Sequence, residues 1–600
     1  MTIKGVRERG EIPDKYRWNA ESVFADAQAW QQEFKRLEDE LTTVSSFEGT
    51  LFKGPHQLLK ALRAVDELSR RVRILFVYAG MAHNVDTTDQ EAAGMQNQVQ
   101  GLGGRFKAAL AFLDPELIQL GQDTLQKWMD GESELAYLAH YVDDLFRKQA
   151  HIRSTEVEQI MGMLADPFSG TAGTYALLTN ADFDFPPAVA EDGSEHALTH
   201  SLFRKYMNEA DRELRKTTWE HYLDTFAAHK QSLTSNLITS IKQDVFQMRI
   251  RKHTSTLNAS LFEDNIPEQV FYNLIDTFRR NLPIWHRYWR IRRQILEVDE
   301  LHPYDIWAPL TRDQPAITFE AAVELICAGL EPMGSEYVET VRRGCFEQRW
   351  VDAMPCKGKR AGAFSSGTKG SFPFINMSFN DSALSLSTLA HELGHSMHSY
   401  LTWENQPELY SHYSLFVAEV ASNFHQALVR KHLLETSEPA FRIAVIEEAM
   451  SNFHRYFFIM PTLARFELEL HQRIERGEGL TADHLIGLMA DLFAEGYGGE
   501  VVFDKQRVGM LWAMFGHLYR DYYVFQYATG ISGAHAMAKG IMDGRENAVE
   551  NYLSFLKAGS SVYPLQALQM GGVDLTQPEP VEAAFEVLAR MVSELEALLL

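Results

Sequence analysis

Five residues, His391-Glu392-Leu393-Gly394-His395, constrain this chain more than any other stretch. They lie within LSTLAHELGHSMHSYLTW, a run that reads as helix. On a helix, residues four apart share a face and are separated by roughly 6 Å along the axis, so two imidazoles can converge on one ion. Glu392 sits about 100° around from His391, near enough to act as base on a water at that ion without occupying the metal. That division of labour suits hydrolysis. A tetrahedral catalytic zinc also needs a third protein ligand and an open position.

The extended pattern with a third histidine requires glycine three residues after His395 and histidine six after it. Those positions hold His398 and Leu401, so that pattern fails. His398 is about 10 Å along the axis from His391, too far to share an ion with it, and reads as a packed or supporting histidine. Downstream, YSLFVAEVASNFHQALVRKHLL places Glu419 among Leu415, Phe416, Val417, Ala418, Val420 and Ala421. A helix here would bury Glu419, and a buried carboxylate without a cation is costly. Glu404 and Glu408 fall in WENQPELY, which reads as exposed loop, so Glu419 is the favoured third ligand; a core arginine partner is its alternative reading. His196 and His200 also stand four apart, but Ala197 replaces the base and the pair follows a turn. Cys327, Cys345 and Cys356 lack the paired spacing of a thiolate site.

Six hundred residues exceed what one core organises, so two lobes are expected, with a boundary near residue 200. Helix signals dominate. Asp114 with Pro115, Asn208 with an acid three residues on, and Pro267 each read as helix starts ahead of apolar residues at helical spacing. A hairpin is expected near residues 183 to 200, turning at Asp192-Gly193, and a strand or two between Gly358 and Phe379, just before the HExxH helix. The fold class is mainly α with a small β element. A formal net charge of -24 argues against nucleic acid or an anionic membrane as partner. Three cysteines, a charged N-terminus without an apolar core, and no membrane-length apolar run point to the cytoplasm.

Near the C-terminus, FGHLYRDYYVFQYATGISG gathers His517, Tyr519, Tyr522, Tyr523 and Tyr527. Such side chains can stabilise a tetrahedral oxyanion, although aromatic residues at this spacing more often fill a core. EGYGGEVVF just before it reads as a flexible loop, a lid or a connection.

Taken together, LAHELGHSMHSYL, FVAEVASNF and FGHLYRDYYVFQYATG resemble the oligoendopeptidase F branch of the thimet oligopeptidase family of zinc metallopeptidases. EIPDKYRWNAESVFAD is similar to that branch's opening, residues 115–185 to its small N-terminal module, and KGKRAGAFSSG to a cleft-edge strand against which substrate backbone lies. The resemblance implies a two-lobed helical zincin peptidase with a deep substrate channel: an N-terminal lobe over 1–200 and a catalytic domain over 201–600. It implies one zinc ion held by His391, His395 and Glu419, with Glu392 as base, and cleavage of internal bonds in short unstructured peptides. His517 matches the family's transition-state histidine and Tyr527 a functional tyrosine, while Tyr519 and Tyr522 compete for the other oxyanion-donor role. Phe525 stands where many relatives have tyrosine and cannot donate a hydrogen bond. Two rival readings are an exopeptidase on the same site and a non-catalytic helical peptide-binding protein.

Overall fold

Helices form wherever the chain supplies a cap followed by an amphipathic run. A computed structural model describes residues 7–311 and 316–600, so the first residues of the charged N-terminal stretch lie outside it. The helix Arg212–Ala228 is capped by Asp211, whose carboxylate accepts from Leu214 N at 2.9 Å. Asn208, the expected cap, instead closes the preceding helix His200–Met207 and donates its side-chain amide to the Arg204 carbonyl at 2.8 Å. Gly121, at φ +83°, divides the stretch read as one helix into Leu113–Leu120 and Gln122–Gly131, leaving Asp114 inside the first turn rather than before it. The helix Glu268–Arg280 starts directly after Pro267, one residue later than a proline at the first helical position would place it.

Five short strands are present among the described residues: β1 (Ala188–Val189), β2 (Glu195–His196), β3 (Val351–Asp352), β4 (Phe364–Ser366) and β5 (Phe374–Asn376). β1 and β2 form the expected antiparallel hairpin around Gly193, whose φ of +80° is freely available to glycine. The other three form a sheet in the order β3-β5-β4, with β3 parallel and β4 antiparallel to β5. β4 is therefore an edge strand.

The chain forms two compact units, each assembled from three segments. One comprises Met1–Ala150, Pro315–Thr436 and Met537–Val573. Its long helices Ala27–Ser45, Pro55–Val85 and Gln90–Leu110 share a core with Trp18, Trp30 and Phe34. Phe374 of β5 enters the same core, which fixes the small sheet to these helices. The other unit comprises His151–Gln314, Ser437–Ala536 and Asp574–Leu600, and has its own aromatic core of Trp285, Trp289, Phe458 and Tyr497. Tyr497 ends a helix there and Gly498 caps it at φ +57°, so EGYGG begins as a packed helix end rather than as a free loop. No helix among the described residues is long and apolar enough to cross a membrane.

Candidate metal centre and active site

The HExxH stretch lies in one helix, Ala383–Asn405, started by Ser382, whose hydroxyl accepts from Ser385 N at 3.1 Å. Glu419 lies in the next helix, Leu415–Thr436. The two cross closely because Gly394 has no side chain: a Cβ there would stand 2.6 Å from Ser422 Cα. The glycine inside the motif is thus a packing requirement that places the second helix against the first.

His391, His395 and Glu419 are the one group of potential metal-ligating side chains among the described residues whose ligand atoms all lie within 4.8 Å of one another. The two imidazole rings stand at 86° with centroids 4.8 Å apart. The neighbours of His391 settle which of its ring nitrogens faces which partner. Gln426 Nε2 donates to Ser387 Oγ at 2.8 Å and points at the Ser387 carbonyl, 3.4 Å away, which can only accept. Its amide oxygen therefore faces His391 Nδ1, at 3.1 Å, and that nitrogen carries the hydrogen. Nε2 is the ring nitrogen that faces Glu419 Oε2, at 3.4 Å. Ligands at about 2.0–2.1 Å around a tetrahedral zinc lie about 3.3 Å from one another, so this pair fits the ion.

Burial, with the neighbouring His391, pushes the His395 imidazole down to about 4, which keeps it neutral and able to ligate. Glu392 is buried and its Oε2 has no hydrogen-bond partner. Burial pushes its carboxyl up to about 7, with Glu419 adding to the effect while His391 and the Ser365 backbone amide oppose it. Ser365 belongs to β4, and its hydroxyl is 2.9 Å from that of Ser396 on the HExxH helix. Thus the edge strand is tied directly to this helix.

Other sequence candidates are placed elsewhere. His398 stacks on Tyr413 at 3.7 Å, with burial lowering it to about 3, as suits a packed neutral imidazole. Glu419 is 26% exposed, less enclosed than its apolar neighbours suggested. Glu408, expected in an exposed loop, is buried beside Arg73 at 3.5 Å, and Glu404 is exposed at the end of the HExxH helix. His196 bonds to Ser194, while His200 bonds to Tyr222 and the Thr179 carbonyl.

The aromatic segment sorts itself clearly. His517 lies in the 3-10 turn Gly516–Tyr519 with Tyr523 stacked on it at 5.8 Å and 8°, and Tyr527 edge-on at 6.0 Å. The hydroxyls of Tyr523 and Tyr527 are 3.0 Å apart. Burial and Arg455 hold the His517 imidazole below its usual range. Tyr519 leaves this group and accepts from Asn236 at 3.1 Å. Tyr522 is fully buried, with its hydroxyl 3.1 Å from Thr256 Oγ1. Tyr523, which spacing did not single out, takes the place beside His517; only the direction of the turn at Tyr522 could have revealed it.

Residues 205–587 match the family model described as Peptidase family M3, and residues 116–185 match that described as Oligopeptidase F. The chain belongs to peptidase family M3. Among M3 and related oligopeptidases, it is 35% identical to oligopeptidase PepF of Bacillus subtilis, over 99% of this chain and 88% of that one. It is 33% identical to the group B oligopeptidase PepB of Streptococcus agalactiae, over 98% of each. The crystal structure of oligoendopeptidase-F from Enterococcus faecium superposes with a TM-score of 0.73 at 30% identity, covering 95% of this chain and 99% of that one. The chain is therefore an enzyme, an M3 metallo-oligopeptidase that hydrolyses peptides, which removes the non-catalytic reading.

Proposed function

We propose that this enzyme is a zinc-dependent oligoendopeptidase cutting internal bonds of short, unstructured peptides. The observation that carries the reading is the convergence of His391, whose Nε2 faces Glu419 Oε2 at 3.4 Å, with His395 to give a set of two imidazoles and one carboxylate. That donor set, on three residues, suits a catalytic zinc with an open position. When bound, zinc supplies Lewis-acid polarisation of the scissile carbonyl and eases deprotonation of water.

Glu392 takes the proton from the attacking water and returns it to the leaving amine. Burial raises its carboxyl from the usual range, which favours holding the proton between the two transfers. The position of β4 at the edge of its sheet, fixed to the HExxH helix through Ser365 and Ser396, suits an extended substrate backbone lying alongside it. His517, with Tyr527 and Tyr523, supplies donors for the tetrahedral oxyanion. Tyr519 and Tyr522, with hydroxyls engaged by Asn236 and Thr256, are weaker candidates for that role. All these residues fall within 201–600, which we read as the catalytic domain. Three buried, free cysteines support work in a reducing cytoplasm.

A quenched-fluorescence peptide blocked at both ends tests the reading. The wild-type enzyme is expected to cut it internally, and Glu392→Gln to lose about 10²- to 10⁴-fold in rate with zinc still bound. Blocked peptides left intact would favour exopeptidase action, and a zinc-loaded Glu392→Gln enzyme at wild-type rate would remove the base.

A further inference from the structure

Tyr522 adopts φ +47°, a left-handed conformation that a bulky residue holds only when its surroundings impose it. One face of the helix Met460–Glu475 imposes it. Glu467, His471 and Glu475 follow one another at intervals of four residues and so share that face. Glu467 Oε1 accepts from the Tyr522 backbone N–H at 2.7 Å. The His471 ring lies against that of Tyr522, centroids 4.8 Å apart. Glu475 reaches the far end of the same ring through Thr256, whose hydroxyl donates to Glu475 Oε1 at 2.6 Å and so accepts from the Tyr522 hydroxyl at 3.1 Å. His471 is itself fixed by the Glu467 carbonyl at 3.0 Å and by Asp244 Oδ2 at 3.3 Å.

A carboxyl group buried to satisfy one backbone N–H is a costly arrangement. Glu467 is only 2% exposed, and its Oε2 has no hydrogen-bond partner. Burial pushes its carboxyl up to about 8, against the opposing pull of His471 and the Tyr522 amide. The residue it holds separates the turn that carries His517 from Tyr523 and from the helix Phe525–Met542 that carries Tyr527. The left-handed residue redirects the chain between them, and Tyr523 stacks on His517.

We propose that Glu467 is a positioning residue for the peptidase reaction, locking the turn at Tyr522 that stacks Tyr523 on His517 and joins the Tyr523 and Tyr527 hydroxyls. The inference rests on the reading of His517 and these tyrosines as oxyanion donors. What holds the turn is an acceptor at the reach of Glu467.

Three substitutions in the full-length, zinc-loaded enzyme separate these features. Glu467→Gln keeps the acceptor and its reach and is expected to hold kcat within about threefold of wild type. Glu467→Met keeps the volume without an acceptor, and Glu467→Asp keeps the carboxyl group without the reach. Both are expected to lose about 10- to 100-fold in kcat, with KM and zinc stoichiometry unchanged, as a displaced catalytic group would. Should the Met variant fail to fold, the Asp variant decides. Asp and Met variants as fast as Gln, or a Gln variant as slow as they are, would overturn the positioning role. His517→Ala is measured in parallel: wild-type kcat there would remove the oxyanion reading itself, whereas a crippled His517→Ala beside active Met and Asp variants would remove only the inference about Glu467.

Discussion

His391 Nδ1 and Gln426 Oε1 share a hydrogen bond of 3.1 Å that turns Nε2 of the same ring toward Glu419. Gln426 is held in that orientation by Ser387, so it acts as a fixed support for the ligand histidine. Partners of this kind typically alter metal affinity by about 10- to 100-fold when lost. Gln426→Leu is therefore expected to raise the zinc dissociation constant by about that factor, measured by competition with a chromogenic chelator. Gln426→Glu, which puts a carboxylate against Nδ1–H, should make the ring more basic and slow zinc loss relative to Leu.

Gly394 is expected to tolerate no side chain. A Cβ would stand 2.6 Å from Ser422 Cα, so the helices carrying His391 and Glu419 would have to separate. Overpacking of this kind costs about 1–3 kcal/mol. Gly394→Ala should lower the melting temperature and, because Glu419 is carried away with its helix, reduce zinc bound per chain. A variant with full zinc content and wild-type stability would show that the close crossing is not needed.

Much of this was legible in the sequence. HELGH required a helix, Leu401 removed the three-histidine pattern, and apolar neighbours marked Glu419, because ligand spacing on a helix is fixed by its pitch. What could not be read depended on tertiary placement. Glu408 looked like an exposed loop acid, yet it is buried beside Arg73. Asn208 had the composition of a cap, but Asp211 won because the preceding helix runs to Met207 and uses Asn208 to end. The choice among four tyrosines turned on a single positive φ at Tyr522, which residue type gives no reason to expect.

Tyrosine substitutions should separate along that turn. Tyr523→Phe removes a hydroxyl 3.0 Å from that of Tyr527, beside His517, and is expected to lower kcat by about tenfold or more, in the range of a lost oxyanion contact. Tyr522→Phe removes a buried hydroxyl bonded to Thr256 and should instead cost about 1 kcal/mol of stability, with kcat changed less than about threefold. Steady-state kinetics and thermal melts on the two variants check the contrast. The reverse pattern would return the donor role to Tyr522.

His454 gives the enzyme a defined sensitivity to acid. It is 3% exposed, enclosed by Trp285, Trp289, Trp307 and Phe458, and neither ring nitrogen has a hydrogen-bond partner. It also lines an apolar cavity of about 30 Å³. Burial, with a smaller contribution from Arg292, pushes the imidazole down to about 3, whereas in the unfolded chain it returns to about 6.5. Between those two values the unfolded state binds the extra proton. The stability due to the neutral ring is therefore complete above about pH 6.5 and is lost as the pH falls toward about 3, at up to about 1.4 kcal/mol per pH unit. His454→Phe keeps an aromatic ring in the same enclosure and removes the titrating group. Denaturant midpoints followed from pH 7 to pH 5 should fall less steeply in His454→Phe than in wild type, and equal slopes would show that His454 takes up no proton on unfolding.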